Sequence, residues 1–282
     1  MVDEAIPIAV QPRMSSAIVL LRPVREQDLT SGQGIEVFMV RRVIQSDFMP
    51  DVYVFPGGSA SVDDRAAELA RDVCAPIGTV SADPEGRTVL GSGIRAAAIR
   101  ELFEEAGVLL AYREGEMLVI NEEEIPRFAG YRQAFNQRRG SLVELARIEK
   151  LRLATDHLGY FAHWITPEGM PKRFDTHFFI TTAPTEQEAA HDQLETSEGV
   201  WITPTRALER SEQGTFPLVF ATIRQLRELA AFSSVKEAFE STATRHVVTR
   251  LPVLARENGV TRVYLPEDVG DPWEVPEHMT KL

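Results

Sequence analysis

The stretch RELFEEAGV (100–108) sets three glutamates, Glu101, Glu104 and Glu105, into the last turns of a helix. The preceding run IRAAAIRELFEEAG carries apolar residues at Ile99, Leu102, Phe103 and Ala106, the i, i+3, i+4, i+7 spacing of an amphipathic helix, and Gly107 supplies its stop. At roughly 100° per residue the glutamates share the face opposite the apolar stripe, so they form one acidic cluster. Like charges three and four residues apart repel, and carboxylates near a helix C-terminus oppose its macrodipole, each at a cost of a few tenths of a kcal/mol or more. Arg100 offsets part of this. A solvated acidic face is the commonest fate of such a run; a bound hard cation explains the arrangement better.

The rest of the chain sets bounds. Its 282 residues are 44% hydrophobic and 26% charged, enough for one large domain or two small ones with a full core. A net charge of -12 argues against a nucleic-acid or anionic-membrane surface, but not against a small phosphorylated ligand held by a metal. With one cysteine, Cys74, there is no disulfide framework and no thiolate zinc site, which fits the cytoplasm. The N-terminus lacks the basic start and apolar run of a secretory signal, and no segment has the apolar length of a membrane span.

AIVLLRPV (17–24) and IEVFMVRRV (35–43) read as a β-hairpin, and VYVFPGG (52–58) as a short strand ended by Pro56, Gly57 and Gly58. RAAELARDVCA (65–75) reads as helical and passes into a loop rich in Gly, Pro and Ser, so 65–93 is an insertion, expected to wall or cover a pocket beside the acidic helix. A helical region is expected from Glu122 to about His157–His163, strands at 174–182 and 199–204, and a helix within 216–232 with Pro217 near its first position. Residues 271–282 read as a loose or draped tail after a single domain over 1–270, α/β in class.

FPGG, then Asp64, then RELFEEAGV resembles the signature of the Nudix hydrolases: Gly, five residues, Glu, seven residues, then Arg-Glu-apolar-any-Glu-Glu-any-Gly-apolar. Arg100, Glu101, Leu102, Glu104, Glu105, Gly107 and Val108 match the second half; Gly58 and Asp64 carry the first, with Asp64 in place of the usual Glu. The departure is spacing, since residues 65–99 stand where the family pattern has seven. An interrupted box of this kind, with FMPDVYVFPGG (48–58) and MPKRFDTHFF (170–179), is similar to the branch that includes the mitochondrial and peroxisomal coenzyme A diphosphatases. The coenzyme A signature of the wider family puts an arginine and a glycine ahead of FPGG, where this chain has Asp47 and Asp51.

The resemblance implies a Nudix-type α/β/α sandwich with a mixed sheet plus helical insertions. It implies a Mg²⁺ (or Mn²⁺) site at Glu101 and Glu105, with Glu104 sharing that work and the main-chain oxygen of Gly58 joining them, and Arg100 orienting the glutamates. Mg²⁺ binds through one or two carboxylates and keeps room for water and phosphate oxygens, which suits such a cluster. Its chemistry is hydrolysis of a diphosphate linkage, with Glu104, Glu198 and Arg100 as the catalytic set. The family often places a general base before a strand carrying Trp, and HDQLETSEGVW (191–201) offers Glu195 and Glu198, the latter the better fit. Arg41, Arg42, Arg173 and Lys172 are the basic residues placed to meet further phosphates. His157, His163 and His177 read as packing or surface residues, His177 also as a strand residue able to line the pocket, Cys74 as a core residue, and GSG (91–93) as the joint where the insertion ends. The expected ligand is a nucleoside diphosphate derivative, coenzyme A or acyl-coenzyme A among them; a homodimer is left open. The alternative is a catalytically idle Nudix fold used as a ligand-binding or regulatory module, which has no reason to keep an electrostatically costly REXXEE set.

Overall fold

A computed structural model of the chain describes residues 10–24, 34–46, 48–76, 91–192 and 196–275. Strands β1 (Arg13–Pro23) and β2 (Ile35–Arg42) are built from near-continuous aliphatic runs because both of their faces are buried. They pair with each other only over Leu21–Pro23, and the wedge between them is filled by the FPGG segment. There β3 (Tyr53–Val54) pairs with β2 and β4 (Gly57–Ser59) pairs with Ser15–Ala17 of β1. Next come α1 (Val62–Leu69) and α2 (Ile94–Ala106), then β5 (Ala111–Arg113), β6 (Glu116–Met117), α3 (Ile125–Asn136), α4 (Leu142–Ile148) and β7 (Leu151–Leu153). The chain continues through β8 (Gly159–Ile165), β9 (Phe174–Thr182) and β10 (Thr196–Ile202) to α5 (Pro204–Glu212), α6 (Phe220–Leu229) and α7 (Val235–Ser241). It closes with β11 (Thr249–Arg250), β12 (Val253–Glu257), β13 (Val260–Leu265) and β14 (Asp268–Glu274).

The main sheet runs β10-β2-β1-β9-β8-β11, with β1–β9 and β8–β11 parallel and the other pairs antiparallel. Alternation along its strands makes two cores. Ile18, Leu20, Phe38 and Val40 face Ile99, Leu102 and Phe103 of α2, whereas Val19, Val37 and Met39 face Phe216, Leu226 and Leu229 around α6. This is the expected α/β/α sandwich with a mixed sheet. Leu102 and Phe103, at most 2% exposed, each contribute about 1.5–3 kcal/mol by burial. No helix among the described residues is long and apolar enough to cross a membrane.

Several expected boundaries move. The first helix starts at Val62 rather than 65, because Ser61 and Asp64 form a reciprocal capping box. The helical reading of 122–163 holds only as far as Ile148; Lys150 takes a positive φ of 55°, and the apolar runs that follow are the strands β7 and β8, buried on both sides and so without a telling period. Pro217 precedes α6 and does not open it: Val219 is the N-cap, and the helical proline in this region is Pro204, at the first position of α5. The tail begins later than 271, since Asp268–Glu274 pairs with β13 in a three-stranded sheet that buries Val263 and Leu265. Most of the loop half of the insertion, 77–90, lies outside the described residues; its helical half packs against α2 and α4.

That contact decides how α2 is set. Its N-cap, Gly93, has no side chain to cap the first turn, and Glu68 of α1 does so instead. The buried Glu68 carboxylate accepts from the backbone N–H groups of Gly93 (2.9 Å), Arg95 (2.6 Å) and Ala96 (3.3 Å), and of Gly91 before them (3.0 Å). Glu68→Ala should therefore lower stability by about 2 kcal/mol or more, the scale of hydrogen bonds to a buried charge, read as a lower urea midpoint with an unchanged slope. An unchanged midpoint would remove Glu68 as the cap.

Candidate active site

The second half of α2 and the FPGG turn meet at the free edge of β4. The backbone N–H of Gly57 donates to Glu105 Oε2 (3.1 Å), and a Cβ on Gly58 would lie 2.4 Å from Glu101 Oε1, so only glycine lets the strand approach this closely. Glu101 and Glu105, each 8% exposed, thus converge on Gly57–Gly58. Glu104 turns aside to Arg100.

Arg100 ties the cluster together. Its guanidinium grips Asp64 through Nε (2.9 Å) and Nη2 (3.0 Å), donates to the Ser59 carbonyl (2.9 Å), and places Nη1 at 2.7 Å from Glu104 Oε1 and 2.8 Å from Glu101 Oε1. Burial opposes the charge of Arg100, but Glu101, Asp64 and Glu104 outweigh it and hold its pKa above the ordinary value. Asp64, fully buried, is the acid of the first half of the split motif, and the ion pair with Arg100 brings it to the second half across the insertion. Behind the carboxylates Arg132 of α3 donates to the carbonyls of Glu104 (2.9 Å), Glu105 (3.0 Å) and Ala190 (2.7 Å), capping the negative end of α2. Nothing in GYRQAF marks Arg132 for this; it is a tertiary contact from a separate helix.

The donor set suits a hard divalent cation. Two buried carboxylates reach one glycine turn, and Ser16 Oγ, buried on the strand position paired with Gly58, has no hydrogen-bond partner among the described residues. Burial pushes the Glu101 carboxyl up to about 7, with Arg100 pulling the other way and Glu104 adding to the rise. A cation at this point would relieve that destabilisation.

Other expected residues go elsewhere. Glu198 sits on β10 opposite Arg41, which sits opposite Tyr53, on the face of the sheet away from α2; Tyr53 Oη donates to its carboxylate (2.6 Å) and Arg41 Nη1 lies 3.9 Å away. The structure does not bring it to the helix glutamates, because the two-residue alternation of the strand turns it to the other side. Glu195 lies outside the described residues. Arg173 is buried and holds the backbone carbonyls of Thr166 and Val10, a structural role. Arg41 pairs with Asp51 (2.9 Å), and Arg42 donates to the Phe48 carbonyl (3.0 Å) at the wall of a cavity. That cavity, about 290 Å³, opens on the other face of the sheet and reaches Gly57 and Gly58. Phe55, Trp164, Phe178 and Phe220 line it with Val263 and Trp273 of the C-terminal sheet, so the segment read as a loose tail forms part of its wall. No described residue of 65–93 does, which corrects the expectation of an insertion walling the pocket. His157 lies against Tyr112 and Phe239, Cys74 is a core residue whose thiol burial pushes up to about 12, and His163 and His177 are buried rather than solvent-facing.

Residues 86–229 match the sequence profile described as the NUDT19 Nudix domain. The chain belongs to the Nudix hydrolases. It is 24% identical to the acyl-coenzyme A diphosphatase NUDT19 of Xenopus laevis, over 83% of this chain and 70% of that protein. To the Gallus gallus protein of the same description it is 28% identical, over 74% of this chain and 65% of that one, so it spans about two thirds of the length of these relatives. A NUDIX hydrolase crystal structure from Alicyclobacillus acidocaldarius shares the fold, with a TM-score of 0.64 at 23% identity over 84% of this chain and 98% of that one. The reaction class follows from the family: a Nudix diphosphohydrolase, in a group that generally uses divalent metal ions. The profile begins after FPGG and Asp64, so the first half of the motif is joined to the second here by geometry alone.

The raised Glu101 pKa has a measurable sign. An acid whose pKa is higher folded than unfolded contributes stability below its unfolded value, about 4.5, and loses it as pH rises through about 7. In EDTA, thermal stability of the wild type relative to Glu101→Gln should therefore fall across that window, and Mg²⁺ should restore part of it at the upper end. A difference independent of pH would contradict the buried, strained carboxylate.

Proposed function

We propose that the chain is a Mg²⁺- or Mn²⁺-dependent diphosphatase acting on coenzyme A thioesters. The observation that carries this reading is the junction at Gly57–Gly58: carboxylates suited to a hard cation on one side and a mainly apolar cavity on the other. A coenzyme A thioester has both parts, a diphosphate for the first and an acyl chain for the second. The NUDT19 names of the relatives support the same substrate class.

In this reading Glu101 and Glu105, with the Gly58 carbonyl, hold the ion, which supplies charge neutralisation of the diphosphate and a more acidic bound water. Arg100 positions the carboxylates and keeps them ionised; Glu104 fixes Arg100 in turn. Glu198 is left out of the proton transfer, since its carboxylate is engaged by Tyr53 on the opposite face, and the proton of the attacking water passes to a helix carboxylate. Arg42, at the cavity wall, is the basic residue placed to meet further phosphates. Its intact carboxylate set is what sets the protein apart from an idle binding module. The lone buried thiol agrees with a reducing compartment such as the cytoplasm, and the acidic charge with a small-molecule substrate rather than nucleic acid.

Incubation with Mg²⁺ and a panel of free coenzyme A, short- and long-chain acyl-coenzyme A, ADP-ribose and NADH should release adenosine 3′,5′-bisphosphate and the matching phosphopantetheine fastest from acyl-coenzyme A. Glu105→Gln should lower turnover at saturating Mg²⁺ by roughly 10²-fold or more, as expected for a lost ligand and electrostatic partner. Ala221→Trp, which fills the cavity from α6, should raise KM for long-chain thioesters while leaving free coenzyme A nearly unchanged. Equal effects on all substrates would place the acyl chain elsewhere, and preference for ADP-ribose would overturn the substrate class.

A further inference from the structure

On the α2 side of the same sheet, one row of paired positions runs from Gly58 on β4 through Ser16 on β1 and His177 on β9 to His163 on β8. Two strand spacings of about 4.8 Å separate Gly58 from His177, so this second group stands about 10 Å from the glycine turn. His163 and His177, 4% and 2% exposed, stack with ring centroids 4.2 Å apart and planes 13° from parallel. Asp175, two positions before His177 on the same face, is shared between them. His163 Nε2 contacts its Oδ1, and His177 Nε2 lies 3.7 Å from the same atom, beyond hydrogen-bond reach. Each ring is oriented from behind by a hydroxyl at its other nitrogen: Thr249 Oγ1 at 2.8 Å from His163 Nδ1, and Tyr160 Oη at 2.8 Å from His177 Nδ1.

We propose that His163, His177 and Asp175 form a second cation site, one for a divalent transition metal such as Zn²⁺ or Co²⁺ rather than Mg²⁺. One donor atom from each residue lies within 4.8 Å of the other two. Bonds of about 2.0–2.2 Å in a tetrahedral arrangement need donors roughly 3.4 Å apart, so only small side-chain adjustments separate this set from coordination. Two imidazoles and one carboxylate are the ligand types such metals take, leaving a coordination position open. The hydroxyls of Thr249 and Tyr160 act as outer partners that fix each ring with Nε2 toward the ion. Asp175, its side chain 30% exposed, is the way in from solvent. A lone histidine–aspartate ion pair accounts for His163 but not for a second, parallel imidazole aimed at the same oxygen. The oxygen-only cluster of α2 and this nitrogen-containing one would therefore hold different metals on one face of the sheet.

The test uses tag-free full-length protein carrying Glu101→Gln and Glu105→Gln, which removes the oxygen site. Equilibrium dialysis with Zn²⁺ should give one bound ion per chain, and further substitution by His163→Ala or His177→Gln should weaken binding at least tenfold. Independently of how those variants fold, Zn²⁺ titration of the ¹⁵N-histidine-labelled Glu101→Gln/Glu105→Gln protein should shift the Nε2 resonances of His163 and His177 together. Co²⁺ should give the stronger visible bands of a four- or five-coordinate site. Absence of stoichiometric Zn²⁺, or bound Zn²⁺ that leaves both Nε2 resonances in place, overturns the proposal.

Discussion

The ion pair between Asp64 and Arg100 is the contact on which the rest of the site depends. Asp64 is fully buried, so its charge is tolerable only against a partner, and Arg100 meets it with two parallel hydrogen bonds. The same guanidinium reaches Glu101, Glu104 and the Ser59 carbonyl, so one cation compensates three helix-proximal acids and fastens α2 to the edge of β4. Glu68 holds the N-terminal end of the helix and Arg132 the other. The short helix α1 contributes two of these three holds through Asp64 and Glu68, one turn apart. It acts as a buttress behind the catalytic helix, which explains why an interruption of the motif at this point is compatible with an assembled site: the chain leaves after α1 has begun and returns where Glu68 caps α2.

Chemistry and binding meet through the glycine turn. The gap between diverging strands β1 and β2 is closed by residues 53–59, and their lack of side chains at Gly57 and Gly58 lets carboxylates approach from one side while the cavity reaches the same backbone from the other. A side chain at Gly58 would displace Glu101, and thicker residues here would part the polar from the apolar half of the site. The C-terminal sheet β12–β14 then completes the cavity wall, so the family's carboxylate machinery is joined to an apolar compartment drawn largely from other elements.

Much of this was legible in the residues. The period of IRAAAIRELFEEAG located α2 and its Gly107 stop, and FPGG with the interrupted motif led to the fold, the family and the two converging glutamates. Elements whose evidence is tertiary were not legible. Strands β7 and β8 are buried on both sides and carry no alternation to separate them from helix, and the tail's VTRVYL gave a strand signal that GDPWEVPEHMTKL beside it obscured. Arg173 looked like a phosphate ligand because basicity says nothing of burial, and Glu198 fell on the wrong face because loop position does not reveal strand parity. The buttressing role of Glu68 and Arg132 arises from helix contacts across 25 or more residues, which no local pattern records.

The most direct measurement is a double-mutant cycle between Asp64→Asn and Arg100→Gln, read as Mg²⁺-dependent turnover of an acyl-coenzyme A with folding checked by unfolding midpoint. If the two residues act as one unit that sets the helix carboxylates, each single change should cause a large loss, and the double variant should fall within about threefold of the worse single, since coupled residues are strongly non-additive. Losses that multiply would show that Asp64 and Arg100 act independently, and would contradict the account of a split motif rejoined through their ion pair.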